Sequence, residues 1–274
     1  MMTTTSENTI HLTTTDTGGL GELEIYQPPG AFALTPASRM ALQTIGAHHH
    51  LLAGIGLDWG CGTGCLALTA VQIPTVSHVI GLDIEPANIA AAQHNAALNH
   101  VADRLTFFLA DSYTPFALAA RQTLATYAGH VDFILANPPT SEGDDGFGFR
   151  RLVLAGARPF LKPGGVVFLS VSYQYGRERI HRLAQEIPDF TYGGLLASTD
   201  WVPFDMQRPD LHHCVELYAA AEQAGGPLYE FHHPAAADQI LNAQSALAHF
   251  QQTGQSPLSQ WQTHLFRYEG EVIA

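Results

Sequence analysis

Asn137-Pro138-Pro139 closes the apolar run VDFILA, and the stretch LDWGCGTG lies upstream at 57–64. The two carry complementary chemistry. An Asn side-chain oxygen and a carbonyl that precedes a proline can each accept one N–H of a planar NH2 group. The proline rings fix φ, so both oxygens stay in place and the nitrogen lone pair is held in one direction. A glycine-rich turn lets backbone pass close to a ligand without Cβ clashes. Together they point to a nucleoside-type cofactor with a planar nitrogen substrate beside it.

In the upstream stretch, Asp58-x-Gly60-x-Gly62-x-Gly64 follows one apolar run and precedes a helical one. The N-terminus of that helix offers free N–H groups to a carboxylate or phosphate. Asp83 ends the next apolar run, where a carboxylate can accept both hydroxyls of a ribose. Asp111 ends the third, within reach of an adenine amino group. The dinucleotide fingerprint is G-x-G-x-x-G. Here the spacing is G-x-G-x-G behind an acid, which suits a cationic ligand better than a pyrophosphate and argues against an NAD-dependent oxidoreductase.

LDWGCGTG, then GLDIEP, then ADS at 110–112 resemble the cofactor motifs of class I S-adenosylmethionine-dependent methyltransferases. The likeness spans about residues 30–190. It implies that Gly60, Cys61, Gly62, Thr63 and Gly64 line the methionine end of S-adenosyl-L-methionine and that Asp58 orients its amino group, directly or through water. It implies that Asp83, with Ile84, takes the ribose, that Asp111 and Ser112 contact the adenine, and that the product is S-adenosyl-L-homocysteine. The Asn137-Pro138-Pro139-Thr140 stretch resembles the NPP-aromatic signature of N-methyltransferases acting on amide or exocyclic amino nitrogens. By that likeness these four residues form the reacting site, with Asn137 also beside the cofactor. Thr140 departs from the signature, which has Tyr or Phe there to stack on the planar substrate; Phe147, Tyr173 and Tyr175 are candidates to replace the stack. The segment from Ser141 to Gly176 is similar to the HemK-like N5-glutamine methyltransferases that modify proteins such as release factors. So, in part, is GAFALTPASRM at 30–40.

These residues need a scaffold that brings them to one edge. Short apolar runs at 54–59, 78–84, 105–110, 131–136 and 166–171 alternate with helical stretches at 65–72, 86–99, 116–127, 147–161 and 177–187. That alternation means βαβ units and a parallel sheet buried on both faces. Ligands in such sheets bind outside the C-terminal strand ends, where all four motifs fall. The fold expected is α/β, a Rossmann-like, doubly wound, mostly parallel seven-stranded sheet. Residues 1–35 read as an N-terminal arm or hairpin, 36–205 as the cofactor-binding core beginning with a helix over 36–52, and 206–274 as a C-terminal helical extension that completes or caps it. Within the tail, 190–204 can hold a sixth strand, 228–232 a short strand and 265–273 a last one. Residues 209–224, 235–253 and 257–264 read as helical.

Composition bounds the partners. Hydrophobic residues make up 46 % and charged ones 14 % of the 274, enough for a large core. The net charge of −13, with only 12 Lys and Arg, gives no general attraction to phosphate backbones. The acceptor is therefore expected to be a protein or small molecule. A base in RNA or DNA is the alternative, served by the arginines at 150, 151, 158, 177, 179 and 182; a cofactor-binding module without catalysis is a second. Cys61 and Cys65 sit inside the glycine turn as small residues, and the histidines occur as sequence neighbours that do not face one way, so no metal is expected. No stretch approaches the ~20 apolar residues of a membrane span, and a cytoplasmic location is expected.

Overall fold

The computed structural model describes residues 8–31, 34–141 and 144–271. Strands β1 (Thr9–Leu12) and β2 (Leu23–Tyr26) form an antiparallel hairpin. Helix α1 (Pro36–Ala47) follows. Thr35 is its N-cap, Pro36 occupies the first turn, and the Thr35 and Ser38 side chains satisfy each other's backbone N–H groups in a capping box. Then come β3 (Gly54–Trp59), α2 (Cys65–Ala70), β4 (Val76–Asp83), α3 (Pro86–Leu98), β5 (Leu105–Asp111), β6 (Thr114–Pro115), α4 (Leu118–Ala125), β7 (Val131–Ala136), α5 (Gly148–Ala157), β8 (Leu161–Ser170), α6 (Arg177–Glu186) and β9 (Phe190–Ser198). The tail holds β10 (Val202–Pro203), α7 (Pro209–Gln223), β11 (Phe231–His233), β12 (Ala236–Leu241), α8 (Ala243–Thr253), β13 (Leu258–Ser259) and β14 (Gln262–Tyr268).

The main sheet has the order β6-β5-β4-β3-β7-β8-β14-β9. The five strands from β5 to β8 are parallel; β14 runs antiparallel between β8 and β9, and the two-residue β6 folds back on β5. This is the expected doubly wound, mostly parallel sheet of seven strands, with β6 added at one edge. Its two faces are covered separately. Leu57, Ile80, Ile134 and Val167 pack on one side with α5, α6 and the tail. Phe133, Leu135, Val79 and Phe168 pack on the other with α1, α2 and the hairpin.

The tail differs from expectation in two places. Residues 235–253 read as one helix because they are Ala-rich, but Asn242 caps α8 by accepting the Ser245 N–H, and β12 before it pairs with β11. Residues 257–264 are extended, not helical: Leu258 pairs with Pro203 and with His232, and Gln262 already belongs to β14. In both cases strand pairing across the fold overrides local propensity. The result is a second, four-stranded antiparallel sheet of order β10-β13-β11-β12, with α7 and α8 packed together beside it. The Lys162–Gly165 stretch, between the expected helix and strand, falls inside β8 as a register shift.

Candidate active site

Register aligns the strand ends. Trp59 pairs with Leu82 of β4 and with Ala136 of β7, Asp83 with Leu109 of β5, and Ala136 with Leu169 of β8. The next residues, Gly60, Asn137 and Ser170, therefore leave the sheet side by side. Thr263 of β14 pairs with Ser170 and extends the row.

The glycine turn has left-handed backbone at Gly60 (φ 67°), Gly62 (φ 54°) and Gly64 (φ 85°), which favours glycine. A Cβ on Gly64 would press on Ala92 and Phe107, so that glycine serves packing; one on Gly60 would meet nothing within 4 Å. The open side of the turn is thus at Gly60, where a ligand can approach backbone. Asp83 grips the turn from the neighbouring strand. Its Oδ2 accepts the Gly62 N–H at 2.8 Å, and its Oδ1 accepts the Glu85 N–H at 2.9 Å and the Asn88 amide at 3.0 Å. Ile84 beside it is 56 % exposed, an apolar surface at a strand end. Asp111 is exposed at the end of β5, and Ser112 accepts the Trp59 indole N–H at 2.9 Å.

Asp58 is 0 % exposed. Its Oδ2 accepts the Ala67 N–H of α2, and its Oδ1 has no partner among the described residues. Burial lifts its carboxyl to about 7, opposed by the Ala67 N–H and reinforced by the charge of Asp83. Burial also raises both cysteine thiols, Cys65 to about 11, so neither is a nucleophile near neutral pH. An orphaned carboxylate oxygen next to an open glycine turn fits a ligand that carries an ammonium group, as the methionine end of S-adenosylmethionine does.

Asn137 is held by a residue that sequence reasoning missed. Its Nδ2 donates to the Ser38 hydroxyl at 3.2 Å. Ser38 is itself fixed by the capping box with Thr35, 2.9 Å away. The amide is thereby oriented with its nitrogen toward α1, and its oxygen is left as an acceptor. In sequence Ser38 stands only within the GAFALTPASRM stretch, where nothing marks it as a partner of Asn137.

Thr140, the departure from the aromatic signature, is the hub of three hydroxyls. Its Oγ1 lies 2.8 Å from the Tyr175 hydroxyl and 2.9 Å from that of Tyr218, and the two tyrosine oxygens are 3.0 Å apart. Burial keeps the Tyr218 phenol protonated far above neutral pH. Of the three candidates for the missing stack, Tyr175 lines the site, Phe147 lies fully buried edge-on to it, and Tyr173 faces Trp201 and His232 instead. Tyr218 comes from α7 and stacks on Tyr229 at 4.0 Å.

A cavity of about 330 Å³ opens at this point, bounded by Asn137, Pro138, Pro139 and Thr140 on one side and by Phe204, Leu217 and Trp261 of the tail on the other. Arg150 lines it and is 4 % exposed. Its guanidinium donates to the carbonyls of Pro138, Pro139 and Gly146 at 2.9–3.4 Å and lies over the Tyr175 ring. The other arginines of the sequence cluster are mostly engaged. Arg151 pairs with Asp145 and Glu186, Arg158 with Asp189 and Arg182 with Glu178. Arg179 is buried against the carbonyls of Asp145 and Leu228. Among the described residues, no group of three or more His, Cys, Asp or Glu is placed to hold a metal, and no helix is long and apolar enough to cross a membrane.

Residues 22–191 match the family described as "Methyltransferase small domain". The chain is 33 % identical over 143 residues to a release factor glutamine methyltransferase of Cereibacter sphaeroides, covering 44 % of this chain and 48 % of that protein. It is 45 % identical over 82 residues to a ribosomal protein L11 methyltransferase of Haemophilus ducreyi, covering 30 % of this chain and 25 % of that protein. The chain thus spans at most about half the length of these relatives. In fold it is similar to a T. thermophilus 16S rRNA N2 G1207 methyltransferase solved with AdoMet and guanosine, at TM-score 0.52 and 21 % identity over 67 % of this chain and 46 % of that one. With the family match covering more than half of the chain, it belongs to the methyltransferase small domain family.

Proposed function

We propose that the chain methylates a planar amide or amino nitrogen of a protein or small molecule. The observation that carries this reading is the Asn137 amide, pinned through its nitrogen by Ser38 so that its oxygen is left to accept a substrate N–H. The Pro138 carbonyl is the second acceptor, held by Arg150. Two fixed acceptors aim the nitrogen lone pair, and transfer then depends on position more than on a strong base. S-adenosylmethionine supplies an electrophilic methyl group on a cationic sulfur. Gly60 leaves room for it, Asp83 beside Ile84 accepts its ribose hydroxyls, Asp111 and Ser112 meet its adenine, and Asp58 faces its ammonium.

The engaged arginines and the acidic balance support a protein or small-molecule acceptor over a nucleic acid. The glutamine amide named for the release factor relative is an acceptor of the right shape. Asn137→Ala tests the assignment. Calorimetry should show S-adenosylhomocysteine binding within about twofold of wild type, while methyl transfer from labelled S-adenosylmethionine falls at least 100-fold. Turnover retained by the variant would move the acceptor-binding role to another residue.

A further inference from the structure

The polar atoms buried in the cavity wall narrow the acceptor further, on the reading that this cavity receives it. Arg150 brings a full positive charge there, and no carboxylate among the described residues pairs with it. Its Nε–H has no acceptor among the described residues. The neighbouring cation, Arg208, is paired with Asp210. His264, close enough to feel the Arg150 charge, is held neutral by burial, its proton lowered to about 4. Ser170, which also lines the cavity and is 5 % exposed, likewise leaves its hydroxyl without a partner among the described residues. Buried charges in proteins are normally matched by an opposite charge, and a guanidinium binds a carboxylate more strongly than it binds neutral carbonyls.

Position makes the mismatch specific. Ser170 is one strand over from Asn137, and Arg150 touches the Pro138 and Pro139 carbonyls. An anion bound by these two side chains lies about 5 Å from the nitrogen that Asn137 holds, one strand spacing away. The tail adds Phe204, Leu211, Leu217 and Trp261 to the lining as apolar groups, beside the Arg208–Asp210 pair and His213. A volume of about 330 Å³ is at the small end for ligand sites.

We propose that the acceptor is a small amino- or amido-carboxylate whose carboxylate is bound by Arg150 and Ser170 while its nitrogen is presented to Asn137. Matched probe pairs test this by calorimetry on the full chain saturated with S-adenosylhomocysteine: 2-aminobenzoate against 2-aminobenzamide, and L-glutamine against L-glutaminamide. The carboxylate member of at least one pair should bind at least tenfold more tightly. Arg150→Lys and Ser170→Ala should narrow that preference, and Arg150→Met should abolish it. Equal or better binding of the amides, or binding of neither member of either pair, overturns the proposal. So does a loss of S-adenosylhomocysteine affinity in Arg150→Met with the probe preference intact, since the cofactor would then supply the anion. Wild-type binding of S-adenosylhomocysteine and the loss of turnover in Asn137→Ala report on the methyltransferase reading independently.

Discussion

In the proposed reaction Asp83 and Asn137 carry different halves of the chemistry, and their surroundings show how substitution separates them. Asp83 accepts three N–H groups that shape the glycine turn and the start of α3. Each such bond to a carboxylate is worth about 1.5–3 kcal/mol. Asp83→Ala should therefore weaken S-adenosylhomocysteine binding by at least 100-fold in calorimetry; affinity within a few-fold of wild type would show that the ribose is held elsewhere. These residues were legible in sequence because each motif is contiguous and sits at a strand end. Ser38, Arg150 and Tyr218 were not. They reach the site from three different helices, and only tertiary packing brings a capping serine, a helix-face arginine and a tail tyrosine together. Thr140 was read as the loss of an aromatic, whereas its hydroxyl is the shared partner of two tyrosines that the site supplies from elsewhere.

At the scale of elements, α3 ties the N-terminal hairpin to the glycine turn. Asn95 accepts the Tyr26 N–H and donates to the Tyr26 and Thr63 carbonyls, and Asn99 one turn on exchanges bonds with the backbone of Glu24. Two amides at i, i+4 thus act as an extra strand edge for β2. Asn95→Ala would strand three backbone groups, and denaturant unfolding should show a loss of about 2–4 kcal/mol, with looser S-adenosylhomocysteine binding because Thr63 belongs to the glycine turn. An unchanged midpoint would mean that water replaces the amide. The parallel core was readable because its period and its Gly/Pro punctuation agree. The small second sheet was not, because strands of two to six residues carry too little pattern to outweigh an Ala-rich, helix-favouring composition.

Across the whole molecule, two buried groups titrate in opposition. The His264 ring donates from Nε2 to the Val171 carbonyl and accepts the Tyr192 hydroxyl at Nδ1, and burial depresses it to about 4. The unfolded chain takes up that proton near 6.5 and the folded chain does not, so this contribution is complete above 6.5 and lost as pH falls toward 4. Asp58 behaves in the reverse sense. Raised to about 7 from 3.8, it keeps a proton that the unfolded chain releases, so its contribution is lost as pH rises from 3.8 to 7. Each amounts to roughly 3–4 kcal/mol, and between pH 4 and 7 they largely cancel. Asp58→Asn keeps an acceptor for the Ala67 N–H but removes the carboxyl. Its stability should fall by roughly 3 kcal/mol on acidification from pH 7 to 4 relative to the wild-type profile. Parallel wild-type and variant profiles would show that Asp58 is ionised throughout.

The place of β14 has a consequence for how the molecule comes into being. It lies between β8 and β9, and among the described residues β9 joins the sheet through it alone. During synthesis the parallel strands can assemble as they emerge, but β8 keeps an open edge and β9 has nowhere to pair until residues 262–268 have left the ribosome. Pairing at such sequence separation is slow, and an uncovered apolar edge invites association with other chains. The nascent protein is therefore most exposed to aggregation between the emergence of β9 and that of β14, after the glycine turn and the parallel strand ends can already form.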